Sequence, residues 1–281
     1  DQATGLLEKK DYEAAVGLLT QLGDYADSAE KIKAAQETMY QEAAAKMAAG
    51  DVAGAYEAFG KIGEYSDSGA VRRKIEEDYA AAVKLLEEGK FAEAKTAFEA
   101  LRNYGDSETQ VKECVYRRAD ALRNEGKFDE AVSLYTGLED YRDSRDQIGI
   151  TLYRKAEAQL ANGEIDSAIR TFEGIADVGD SLERARKIRY DRAMSLWKEG
   201  SLREAMAELE ALGDYSDAAM QAGNCLYQPA LTAIDSGCPR IATWSRRRRS
   251  GRRNTLWLRS AMRKGIMRRR RQPMRCSGSM S

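Results

Sequence analysis

A nineteen-residue motif, GKFDEAVSLYTGLEDYRDS at Gly126–Ser144, occurs in six related copies at near-constant spacing. The copies begin at Lys10, Gly50, Gly89, Gly126, Gly163 and Gly200, so successive periods are 40, 39, 37, 37 and 37 residues. A period of this size marks stacked supersecondary units, none of which can bury its apolar face alone. It outweighs the expectation, from 281 residues, of two ordinary globular domains.

Each unit reads as two helices. In the second, apolar residues stand 2, 5, 9 and 12 places after the turn glycine; in the Gly126 copy they are Phe128, Ala131, Tyr135 and Leu138. Offsets of three and four make one helical stripe and exclude a strand. The fifth place is always alanine: Ala15, Ala55, Ala94, Ala131, Ala168 and Ala205. Ten residues before the turn stands Tyr40, Tyr79, Tyr116, Tyr153, Tyr190 or Tyr227, with an alanine three residues on, on the same face. The tyrosines read as packing anchors, the alanines as points of close helix approach. Asp27, Asp67, Asp106, Asp143, Asp180 and Asp217 stand where an N-cap would accept from free backbone N–H groups. Glu30 and Glu183 complete a capping-box spacing. Length varies only between this Asp and the next Tyr, predicting first helices of roughly 18–22 residues, the earliest longer by up to about one turn.

The pattern Gly-x-[FY]-x-x-Ala-x-x-x-[FY]-x-x-Leu resembles the tetratricopeptide repeat, over residues 1 to about 237. The resemblance implies an all-α, right-handed solenoid of antiparallel helix-turn-helix repeats, with first helices lining the concave surface. The units depart from the family's 34 residues. The proline usual after the second helix is missing, Pro229 being the first in the chain, and a Gly-Asp-Tyr-x-Asp-Ser linker replaces it.

The formal net charge of −1 conceals two opposed segments. From Pro239 onward there are fourteen Arg and one Lys and no carboxylate; 30 basic and 46 acidic residues remain for 1–238, a net of −16. Repeat register ends at Gly237, where the acidic residues also stop. A frameshift that turns GCG alanine codons into arginine codons accounts for both, so segment 238–281 is expected to be an Arg-rich tail without a stable fold. The array is expected to be truncated at both ends: Ala3 takes the alanine position, and its matching tyrosine would precede Asp1.

Cys114, Cys225, Cys238 and Cys276 form no CxxC, and the chain has no His. Unpaired thiols point to a reducing, cytoplasmic compartment. No run of apolar residues spans a bilayer. No phosphate loop, nucleophile–base pair or metal cluster is apparent: the carboxylates fall at caps and on polar helix faces, and GKF lacks the preceding phosphate-loop frame. Trp197, three residues before Gly200, takes a position filled elsewhere by Met47, Leu86 and Leu160 and reads as core.

The expected function is therefore a non-enzymatic scaffold, without cofactor or metal, that binds a protein or peptide along the concave face. The alternative is a regulatory or spacer module of a larger enzyme or membrane-anchored protein; nucleic-acid binding through the tail ranks third. With Tyr, Ala and the residue three before the turn glycine facing the core, the partner-facing candidates are Arg117, Asp120, Arg154, Glu157 and Asp191.

Overall fold

The computed structural model describes residues 2–23 and 25–235. The Arg-rich segment 238–281 and its expected frameshift lie outside the described residues. Thirteen helices occur among those described, and no strand: α1 (Gln2–Glu8), α2 (Tyr12–Leu22), α3 (Ser28–Ala49), α4 (Val52–Lys61), α5 (Ser68–Glu87), α6 (Phe91–Leu101), α7 (Ser107–Asn124), α8 (Phe128–Gly137), α9 (Ser144–Ala161), α10 (Ile165–Gly174), α11 (Ser181–Lys198), α12 (Leu202–Ala211) and α13 (Ala218–Asp235). First helices alternate with second helices of 10 or 11 residues. The first helix is 22 residues in α3, 20 in α5 and 18 in α7, α9, α11 and α13.

The chain divides into two compact units, 1–158 and 159 onward. In the first, each helix from α1 to α7 packs on its successor. In the second, α10, α11, α12 and α13 do the same. Each alanine five places after the turn is fully buried, as are Ala43, Ala82, Ala119, Ala156 and Ala193 on the first helices. A methyl at these points lets backbones approach closely. The larger apolar side chains fill the space beside it: Phe59, Phe98, Tyr135, Phe172 and Leu209 are 0–2% exposed. Burying one such side chain stabilises by about 1.5–3 kcal/mol. The stripe weakens at Leu22 and Ile165, which are exposed. Trp197 is half-buried and packs beside Ala193 and Leu209.

The hairpin turns need a left-handed residue, supplied by glycine from Gly50 to Gly200 and, in the first copy, by Lys10 at φ 61°. The linkers need a second one. The residue between Tyr and Asp is left-handed in every copy: Ala26, Ser66, Gly105, Arg142, Gly179 and Ser216, with φ between 50° and 57°. The serine that follows is buried; Ser107 gives both its N–H (3.1 Å) and its hydroxyl (2.6 Å) to the Tyr104 carbonyl. This turn reverses the chain without proline.

The linker aspartates correct the capping expectation. Asp67 and Asp106 occupy N-cap positions, yet their side chains make no cap hydrogen bond. Each accepts instead from a tyrosine 27 residues earlier. Tyr40 donates to Asp67 (2.6 Å), Tyr79 to Asp106, Tyr116 to Asp143 (2.6 Å) and Tyr190 to Asp217 (2.5 Å). Gln110, Gln147 and Gln221, one turn into the new helix, occupy the second oxygen of three of these aspartates. A carboxylate anchoring the preceding first helix outcompetes local capping because a phenol is a strong donor fixed in place by its packed ring. Glu183, expected in a capping box, instead bonds Tyr215.

The candidate partner-binding faces

The tyrosine anchors are amphipathic. Tyr116 is 7% exposed; its ring meets Tyr135 edge-on at 5.6 Å and Tyr141 at 6.3 Å. Burial and then the bond to Asp143 push its phenol up to about 12. For Tyr79 and Tyr190 the bond to aspartate comes first, and both are also pushed to about 12. The same bonds, from Tyr79, Tyr116 and Tyr190, hold Asp106, Asp143 and Asp217 below the usual carboxylate range. These groups are thus committed to holding the array together, and none is poised as an acid or base near neutral pH.

The sequence-derived candidates fall in different environments. Arg117 is half-exposed and donates from Nε to Glu113 at 2.8 Å. Glu113 also receives Tyr141 (3.0 Å) and Arg142 (2.9 Å). Burial pushes the Glu113 carboxyl up, but these three donors outweigh it and hold it low. Asp120 turns toward its own hairpin, accepting from the Tyr135 hydroxyl at 2.7 Å and from Arg123. Arg154 is exposed and reaches Asn124 Oδ1 on α7 at 3.3 Å, which brings the α7 and α9 surfaces together. Glu157 is half-buried. Asp191, in the second unit, is exposed, and its carbonyl accepts from Ser195 at 3.1 Å.

Arg123 was not singled out by sequence pattern. It stands three before Gly126, a position filled by Met47, Leu86, Leu160 and Trp197 elsewhere. Its side chain is only 12% exposed; it bonds Asp120 and Gln147 and lies 5.8 Å from the Tyr135 ring centroid. That network explains how a cation is tolerated at a core position.

Clefts recur at one register of the repeat, where the second helix of one hairpin meets both helices of the next. The residues just before and two after the anchor tyrosine line them: Met39 and Glu42, Asp78 and Ala81, Arg189 and Arg192. The α10–α11–α12 cleft, about 490 Å³, is crossed by ion pairs from Arg192 to Asp166 and Glu208, with Arg189 holding Glu173 at 2.9 Å. The α4–α5–α6 cleft is larger, about 630 Å³, and apolar. Sequence reasoning missed this register, although Ala81 standing where Glu42, Arg118, Lys155 and Arg192 stand in other copies was a readable signal.

Among the described residues, no three His, Cys, Asp or Glu side chains gather as a metal cage. No helix among them is long and apolar enough to cross a membrane. Cys114 and Cys225 are buried free thiols, and burial raises both above the usual thiol range.

A family model described as Tetratricopeptide repeat matches residues 79–147 and 153–219. The chain belongs to the tetratricopeptide-repeat family. The two matched stretches adjoin and run from the anchor Tyr79 to α13, so they cover consecutive hairpins of the array. Comparison with curated proteins gives no match. Tetratricopeptide repeats generally mediate protein–protein interaction. In this array the packing positions repeat from copy to copy, while the residue after the anchor tyrosine reads Gln41, Ala80, Arg117, Arg154, Asp191 and Gln228.

Proposed function

We propose that the chain is a non-enzymatic scaffold that binds a protein or peptide on its first-helix face, with Arg117, Asp120, Arg154, Glu157 and Asp191 as the contact residues. The observation that carries this reading is the contrast between fixed and changing positions. Tyr, Ala and the turn residue are dictated by packing, whereas the place after Tyr is free of that constraint and changes in charge from copy to copy. Surface positions released from packing are where a repeat scaffold encodes its partner. Arg117 and Arg154 supply exposed cations on an array of net −16, and the Arg154–Asn124 bond sets them on neighbouring helices. Asp120, 31% exposed at its side chain, also accepts from Arg123 and Tyr135 beneath that face.

The test is capture of a partner from lysate, its identification, and measurement of its affinity for R117E/R154E. The double reversal weakens capture at least tenfold and keeps the helical circular-dichroism signal, with a fall in melting temperature no larger than loss of the Arg117–Glu113 pair accounts for. Unchanged capture, with loss instead in the second-helix surface variant Glu130→Arg, would place the interaction elsewhere.

A further inference from the structure

We infer that the chain associates head to tail with a second copy of itself: α13 of one copy seats against α2 and the following linker of the next, supplying a first helix that this surface lacks. The inference is independent of the partner-binding reading, because it uses neither Arg117 nor Arg154.

The α2 side is an acceptor without its donor. The residue twelve places after the turn is 5–8% exposed in five copies, at Ile62, Leu101, Leu138, Ile175 and Leu212. Leu22, its counterpart in the first copy, is 53% exposed. The linker tyrosines Tyr65, Tyr104, Tyr141 and Tyr215 are half-buried against anchor tyrosines, with ring centroids 5.8–6.4 Å apart. Tyr25 meets no ring among the described residues and is 72% exposed. Asp27 stands where Asp67, Asp143 and Asp217 each accept an anchor hydroxyl, but it pairs with Lys31, one turn on, at 3.0 Å.

The reciprocal surface is on α13. Tyr227 is an anchor tyrosine with no hydrogen bond or ring contact from its side chain among the described residues. Leu226, one place before it, is 54% exposed. Its counterparts are covered by the second helix that follows them: Met39 clusters with Phe59 and Ile62, and Val115 with Tyr135 and Leu138. In the same register Leu226 of one copy meets Leu22 of the next, Tyr227 packs on Tyr25, and the Tyr227 hydroxyl donates to Asp27. One docking thus gives the phenol the carboxylate that its counterparts have, and takes two exposed leucines out of water.

Both surfaces are short of charge. Asp235 is the only charged residue in the 18 of α13, and Glu13 the only one in the 11 of α2, in a chain that is 32% charged. The attraction is therefore apolar, the net −16 of residues 1–238 opposes it, and salt relieves that repulsion. Helix α1 holds the register of residues 229–235, with Ala3 matching Ala230, so α13 replaces it. Having seven residues, of which Ala3 alone is buried, α1 is the weaker competitor for α2. The contact joins different surfaces of the two copies, so each pair keeps one free α2 side and one free α13 side, and association propagates.

The experiment is sedimentation velocity of the full chain across the micromolar range, at physiological and high salt. The chain forms dimers and longer oligomers whose share grows with concentration and is not reduced by salt. Leu22→Glu and Leu226→Glu each place a charge at a site more than half exposed in the single copy, so each keeps the helical circular-dichroism signal. Each weakens association at least tenfold. Mixing the two variants restores a dimer and nothing larger, because one keeps an intact α13 and the other an intact α2. Tyr227→Phe, which removes only the hydroxyl, weakens association severalfold, and R117E/R154E associates as the parent does. A monomer throughout the range, association that the glutamate variants leave intact, or a mixture that stays monomeric overturns the inference. Association that high salt dissolves also overturns it, in favour of the Arg-rich segment of one copy binding the acidic array of another. Each of these failures leaves capture of a partner by the first-helix face standing.

Discussion

Replacing Tyr116 by phenylalanine separates the two jobs of the anchor tyrosine. The ring contacts to Tyr135 and Tyr141 survive, and only the O–H to Asp143 at 2.6 Å is removed. A hydrogen bond to an ionised group contributes about 1.5–3 kcal/mol. Asp143 lies toward solvent and keeps Gln147 at 2.7 Å, so the lower end applies, about 1.5 kcal/mol. That corresponds to a fall in Tm of about 3–6 °C for an array of this size. Asp143→Ala costs a similar amount, because it strands a phenol on a nearly buried ring. The double variant should cost little more than either single one, giving a coupling of about 1–2 kcal/mol in a urea-denaturation cycle. A coupling below about 0.3 kcal/mol, within ordinary additivity error, would refute the reasoning and leave the tyrosine as a packing residue only.

Ala131 is fully buried between Tyr116, Ala119 and Tyr135, so Ala131→Leu should destabilise by about 1–3 kcal/mol through overpacking, seen in thermal melts. The phenols of Tyr79, Tyr116 and Tyr190, raised to about 12, contribute stability that is full below the unfolded value near 10 and lost as pH rises toward 12; alkaline melts should show this, and phenylalanine at all three positions should flatten it. The lowered Asp106, Asp143 and Asp217 contribute above the unfolded carboxylate value near 4, and that stability disappears as pH falls through their folded values. Ser216 is exposed with φ 51°, so Ser216→Gly relieves left-handed strain and, net of glycine's greater freedom when unfolded, should stabilise by about 0.5–1 kcal/mol in urea melts.

The parts of this fold that packing dictates were readable from residues alone. Ala131 and Phe98 fall on a 3.6-residue stripe, and the structure buries both completely. The α3 and α5 extensions follow from counting residues between Asp and Tyr. The role of the aspartates was hidden because their partners lie 27 residues away, and a local rule, N-capping, offered a sufficient explanation for the same residue type. The left-handed linker residue was masked by Ala26, Ser66 and Arg142, which carry no sign of positive φ; only Gly105 and Gly179 hinted at it. The α4–α5–α6 cleft is defined by side chains that are missing from three helices at once, a property no single helical stripe contains. The exposure of Arg117 and Arg154 follows from helical register, but Asp120's bond to Tyr135 depends on how the two helices of one hairpin face each other.

The measurement that tests partner binding most directly is amide hydrogen exchange of the full chain with and without its captured partner. The account predicts that binding slows exchange in α7 and α9 around Arg117 and Arg154, while α8, the second helix between them, exchanges as in the free protein. Slowed exchange in α8 with α7 and α9 unaffected would contradict it.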